Sequence, residues 1–141
     1  MFRQLVIISC FLFISSCDKE ENKVDNFNGK YEYTAYVAKS LVICANGILD
    51  MSIDSDSTIA GTWNINSGAG FSEKEVGPQV GTGELEGQIE KGKILLNLNP
   101  GWADNNIFLQ GQYAENQFGG SWIWSTIIGQ TALGGFIIKK Q

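Results

Sequence analysis

Polar and apolar residues alternate by twos along most of this chain and almost nowhere at the three-and-four spacing of a helix. In GILDMSID, Leu49, Met51 and Ile53 alternate with Asp50, Ser52 and Asp54. In GELEGQIEKGKILLNLN, Leu85 and Ile89 alternate with Glu84, Glu86, Gln88 and Glu90; Ile94, Leu96 and Leu98 then alternate with Asn97 and Asn99. Each run reads as a strand with one wet face and one dry face. ANG, DSDS, EKGK, NPGWADNN, AENQ and IGQTA punctuate the runs where hairpins need turns. The pattern predicts eight strands, over 29–38, 47–54, 58–66, 81–90, 93–99, 106–114, 117–126 and 131–139. An antiparallel meander of this size closes most simply as a small up-and-down β-barrel, an all-β fold without exposed edges; an open sandwich is the alternative. Residues 39–45 are either a short extra strand, with Asn46-Gly47 as a tight turn, or a plug across one barrel end.

One short pattern recurs: an apolar residue, any residue, Gly, any residue, then an apolar or aromatic one. It occurs as Phe27–Tyr31, Ile59–Trp63, Leu85–Ile89, Leu109–Tyr113, Phe118–Trp122 and Leu133–Ile137. The first, third and fifth residues of a strand share a face, so each central glycine is expected to point inward between bulky neighbours. A glycine there lets a strand bend or lets a large side chain cross the interior, as a small closed barrel requires. IAGTW and LQGQY resemble the LTGTY and SGQY motifs of avidin-like proteins, and NFNGKYEYTAY is similar to the first strand of lipocalins, with Tyr31 where they carry a Trp. Residues 27–139 thus resemble the calycin superfamily of avidins, lipocalins and fatty-acid-binding proteins. The resemblance implies the barrel; the biotin-contacting residues of avidins have no match here.

The N-terminal segment has a different pattern. MFRQLVIISCFLFISSC carries a single charge, Arg3, ahead of an apolar run of about ten residues, the mark of a secretory signal and too short to span a bilayer that needs roughly 20 helical residues. Ile14, Ser15 and Ser16 ahead of Cys17 resemble the lipobox of bacterial lipoproteins. That resemblance implies removal of residues 1–16, a diacylglyceryl group on the Cys17 thiol, and a protein held on a lipid bilayer of the cell envelope by its acyl chains. An ordinary signal-peptidase site is the alternative. Residues 17–26 then form the lipidated cysteine and a charged tether, and 27–141 the barrel domain. CDKEE resembles both a surface-export signal and an inner-membrane retention signal, so the protein faces either the periplasm or the cell surface.

Without residues 1–16 the chain keeps nine lysines, no arginine and no histidine against fifteen carboxylates, a net charge of −6. Such a chain is a poor nucleic-acid binder and lacks the commonest general base and metal ligand. No cofactor, metal site or catalytic residue is expected, and no enzymatic activity. Cys44, in the apolar stretch SLVICANG, reads as a buried inert thiol, with intermolecular pairing as the alternative. Asp54 and Asp56 alternate as calcium-loop ligands do, but lack the accompanying Gly and distal Glu, so a hairpin turn is expected. Glu84, Glu86 and Glu90 form a solvated strand face.

Candidate function rests on aromatic residues. Trp63, Trp122 and Trp124, with Tyr31 and Tyr113, either line a pocket for a small apolar ligand or fill the barrel, whose eight strands leave an interior that side chains can just occupy. Residues 64–83 form the longest stretch without a strand signal, either a lid or partner-binding loop with Phe71 as an exposed anchor, or a mobile linker. Trp102 stands in a second loop, either as a partner-binding anchor or as a cap on the barrel end. The leading expectation is a membrane-anchored binding module for a small apolar ligand. Its rival is a filled barrel acting through its loops on an envelope protein, as an inhibitor or structural component.

Overall fold

The computed structural model describes residues 27–141. Eight antiparallel strands are joined in chain order: β1 (Gly29–Val37), β2 (Ile43–Ile53), β3 (Thr58–Ser67), β4 (Gly81–Glu90), β5 (Lys93–Asn97), β6 (Asn106–Ala114), β7 (Gln117–Thr126) and β8 (Gly129–Lys140). Each strand pairs with the next, and β8 returns to β1 through Tyr31↔Lys140 to Val37↔Gly134, so the sheet is a closed up-and-down barrel. One short helix, α1 (Glu73–Val76), lies between β3 and β4. The wall closes on itself within the described residues and surrounds a continuous buried core.

The alternation by twos is realised as burial. Tyr31, Tyr33 and Ala35 of β1 face inward, as do Leu49 and Met51 of β2, Leu85 and Ile89 of β4, and Ile94 and Leu96 of β5. Glu84, Glu86 and Glu90 face solvent. Asp54 and Asp56 belong to the β2–β3 hairpin turn: Asp56 Oδ1 accepts the Thr58 N–H at 3.1 Å, and this bond holds the Asp56 carboxyl below its usual pKa.

Three expectations about local structure are corrected. Asn46-Gly47 is not a turn: it lies inside β2, which begins at Ile43, and residues 39–45 are neither a plug nor a separate strand. A register shift opposite Ala35 and Tyr36 lets the adjacent Cys44 and Ala45 both be buried, which hides the period of two there. Within residues 64–83, α1 forms where no helix was expected. In the last glycine motif the inward residue is Gly134, not Gly135, because Trp122↔Gly134 and the buried Phe136 fix the parity of β8. A Cβ on Gly134 would collide with the Trp122 indole, whereas one on Gly135 would meet nothing nearer than 3.8 Å.

The topology gives the barrel two unlike ends. Residues 54–57, 91–92 and 115–116 connect strands at the end where β1 begins and β8 finishes, the N-terminal end. Residues 38–42, 68–80, 98–105 and 127–128 connect strands at the opposite, α1 end.

Candidate functional site

The N-terminal end is sealed by aromatic rings. Phe27 packs edge-on against Tyr113 at 5.3 Å between centroids and lies 5.6 Å from Phe118, which is 5.0 Å from Tyr113. The Tyr31 hydroxyl donates to the Phe27 carbonyl at 2.6 Å. Burial, reinforced by the neighbouring Tyr113, pushes the Tyr31 phenol up to about 12.

Trp63, from β3, fills the wall where β5 is too short to pair with the upper half of β4. Its indole N–H donates to the carbonyls of Leu98 at 2.7 Å and Glu84 at 3.1 Å, joining two segments that no backbone ladder joins. Gly83 of β4 makes room for it, since a Cβ there would lie 2.8 Å from the indole. Trp122 crosses beneath Gly134 and donates its N–H to the Tyr36 carbonyl at 3.0 Å. Both indoles are buried, and among the described residues no buried side-chain nitrogen or oxygen lacks a partner.

The α1 segment closes the other mouth. Val76 and Gln79 are buried; the Tyr33 hydroxyl donates to Gln79 Oε1 at 2.8 Å, and Gln79 Nε2 donates to the Val76 carbonyl at 2.8 Å. Full burial, with the Cys44 thiol nearby, raises the Tyr33 phenol well above its usual pKa. Gly77 ends α1 at φ 64° directly against the half-buried Trp124, so positive φ and ring contact both call for glycine. Trp124 donates to Asn105 Oδ1 at 2.7 Å. Cys44 is buried, and that burial raises its thiol pKa against the lowering effect of backbone hydrogen bonds. A thiol so placed is a poor nucleophile.

The five aromatics singled out as ligand contacts are thus not brought together. Tyr31 and Tyr113 belong to the N-terminal floor, Trp63 to the wall beside β5, and Trp122 and Trp124 to the α1 mouth. Phe71 is not the exposed anchor expected: it is half-buried and packs against the core, the chain folding back as Phe71 N–H donates to the Gly68 carbonyl. Trp102 is exposed in its loop, at 69%. A crevice of about 420 Å³ opens between α1 and β8, lined by Val37, Lys74, Val76, Trp122, Ala132 and Leu133 among others.

The exposed apolar side chains on loops have a strong bias. Leu41 (91%), Trp102, Ile127 (86%) and Ile128 (90%) all stand on connections of the α1 end. The opposite connections, built around Asp54–Ser57, Lys91-Gly92 and Glu115-Asn116, carry no large apolar residue. Asp104 ties two of the apolar loops together, its Oδ1 accepting the N–H of Ile127 at 2.6 Å and of Asn105 at 2.7 Å. Sequence reading missed Ile127, Ile128 and Asp104; the available signal was a pair of β-branched apolar residues inside a turn.

No protein-family profile and no curated protein matches the chain. Among solved structures, the chain is similar to a redesigned β-barrel, mFAP1, bound to DFHBI. The identity is 17%, the alignment covers 78% of this chain and 92% of that one, and the TM-score is 0.46.

Proposed function

We propose that this protein is a lipid-anchored protein of the cell envelope whose barrel is a filled scaffold, acting by binding through the loops of its α1 end. Cys17, outside the described residues, carries the acyl chains, and residues 18–26 are the tether. The observation that supports the loop reading is the one-ended distribution of Leu41, Trp102, Ile127 and Ile128, at the end away from the tether. Binding rather than catalysis fits a chain whose inward polar groups are spent on holding the fold: the indoles of Trp63 and Trp122, the Tyr33 hydroxyl and Gln79.

Mass spectrometry of the protein extracted from its own membranes tests the reading. The expected result is a chain beginning at acylated Cys17 and, under native conditions, a barrel without a bound small molecule. An unacylated N-terminus elsewhere removes the anchor. A stoichiometric small molecule lost on Trp63→Ala replaces the loop reading with an interior one. A second reading, a small apolar ligand at the mouth, is favoured by the crevice between α1 and β8. Its signature is quenching of Trp122 fluorescence by the ligand, abolished by filling the crevice with Ala132→Phe.

A further inference from the structure

The β7–β8 turn breaks the local rules of its fold without a structural return. The Lys91-Gly92 and Glu115-Asn116 turns use residues at positive φ, with polar or glycine chemistry that suits a tight hairpin. Ile127 and Ile128 do neither: neither residue has positive φ, and both side chains project almost wholly into solvent. β-branched residues at an exposed turn cost solubility and gain no packing.

The turn is also held in place. Asp104 binds the Ile127 N–H, Trp124 binds Asn105, and Asn106 Nδ2 donates to the Trp102 carbonyl at 3.2 Å. These bonds join the Trp102 loop and the Ile127–Ile128 turn into one preorganised projection bearing three large apolar side chains. Asp104, the carboxylate within the Trp102 loop, is exposed, and its Oδ1 accepts the backbone N–H groups of Asn105 and Ile127.

We propose that this projection, Trp102 with Ile127 and Ile128, docks onto a phospholipid bilayer. The inference rests on the reading that the α1 end is the working end. Aliphatic side chains on a convex tip need no complementary pocket in a fluid acyl layer, and a tryptophan beside them suits the headgroup boundary. The charge pattern favours an uncharged lipid surface over an anionic one, because neither loop 98–105 nor turn 127–128 contains an arginine or lysine, Lys39 and Lys74 stand on the neighbouring 38–42 connection and α1, and the chain as a whole is acidic.

Reach permits contact with the same membrane that holds the anchor. Ten residues from Cys17 to Phe27 extend to roughly 35 Å. Strands of 9–12 residues, as in β1 and β8, tilted as barrel strands are, give a wall roughly 25–30 Å tall. The barrel can turn over on its tether and set its apolar tips into the bilayer, where tethering raises the effective concentration of a weak contact.

The test uses the unlipidated chain from Asp18 onward, which contains the whole barrel, and phosphatidylcholine vesicles with or without brominated acyl chains. The expected result is co-sedimentation with vesicles and quenching confined to the emission of Trp102, so that Trp102→Phe removes the quenching. Ile127→Ser and Ile128→Ser should each weaken partitioning roughly tenfold or more, with no loss of melting temperature because neither side chain is packed. Leu95→Ser, at an exposed position on the outer wall, should leave partitioning unchanged. Failure of the wild-type barrel to partition at millimolar lipid overturns the proposal, as does equal binding by the Ile127→Ser/Ile128→Ser variant or equal quenching of buried indoles. If vesicles are ignored but the same double variant loses a protein partner, the loop-end function stands and the lipid assignment falls.

Discussion

Replacing Trp63 by Phe separates a sealed, filled barrel from one with a wet or exchangeable interior. The substitution keeps an aromatic ring but deletes the N–H that serves Leu98 at 2.7 Å and Glu84 at 3.1 Å. Leu98 is fully buried, so its carbonyl loses a partner that water cannot replace, at a cost of about 1–3 kcal/mol. The smaller ring has three fewer heavy atoms and leaves a void on the order of 40 Å³, adding about 1 kcal/mol. Glu84 is exposed, and its carbonyl recovers a bond to solvent at little cost. The sum is about 2–4 kcal/mol, to be read from urea unfolding followed by far-ultraviolet circular dichroism, which does not depend on the mutated fluorophore. Trp124→Phe is the matched control: it also removes an indole N–H donor, but from an exposed bond to Asn105, and should cost under about 1 kcal/mol. Equal costs for the two variants, or a loss below about 1 kcal/mol at Trp63, would refute the claim that this indole closes the wall against water.

Gly134→Ala should destabilise the barrel by about 1–3 kcal/mol, because its Cβ collides with Trp122 and the Tyr36 carbonyl, while Gly135→Ala should be near neutral; the reverse order in thermal melts would show that β8 has the opposite parity. Stability should fall between about pH 10 and 12. Tyr31 and Tyr33 keep their protons longer folded than unfolded, so their contribution is complete below pH 10 and lost as pH rises through the folded values. Tyr31 alone accounts for a loss of about 2 kcal/mol over that window, and a urea midpoint that stays flat from pH 9 to 11.5 contradicts the burial of these phenols. Cys44 should resist iodoacetamide in the folded barrel and react once urea unfolds it. Modification at equal rates in both states would mean that the bulge region of β2 opens readily.

The alternation by twos determined the strands and most of their faces, and it favoured the closed antiparallel barrel over an open sandwich, because burial of one face is a local demand that each strand writes into its own residues. It also placed Trp63 and Trp122 inside, two positions after glycines on the same face. Position along a strand does not say what an inward residue meets across the barrel, so the sequence left pocket and filled core as alternatives. The hydrogen bonds from Trp63 to Leu98 and from Trp122 to Tyr36 span 35 and 86 residues of chain, and only closure of the sheet creates them. The same limit explains the errors: the bulge that buries Cys44 beside Ala45 depends on the partner strand, and the choice between Gly134 and Gly135 depends on the register with β7. The clustering of Leu41, Trp102, Ile127 and Ile128 was invisible for a related reason. Their loops are separated along the chain by whole strands, and the up-and-down topology alone delivers alternate connections to one end while leaving the polar turns at the other.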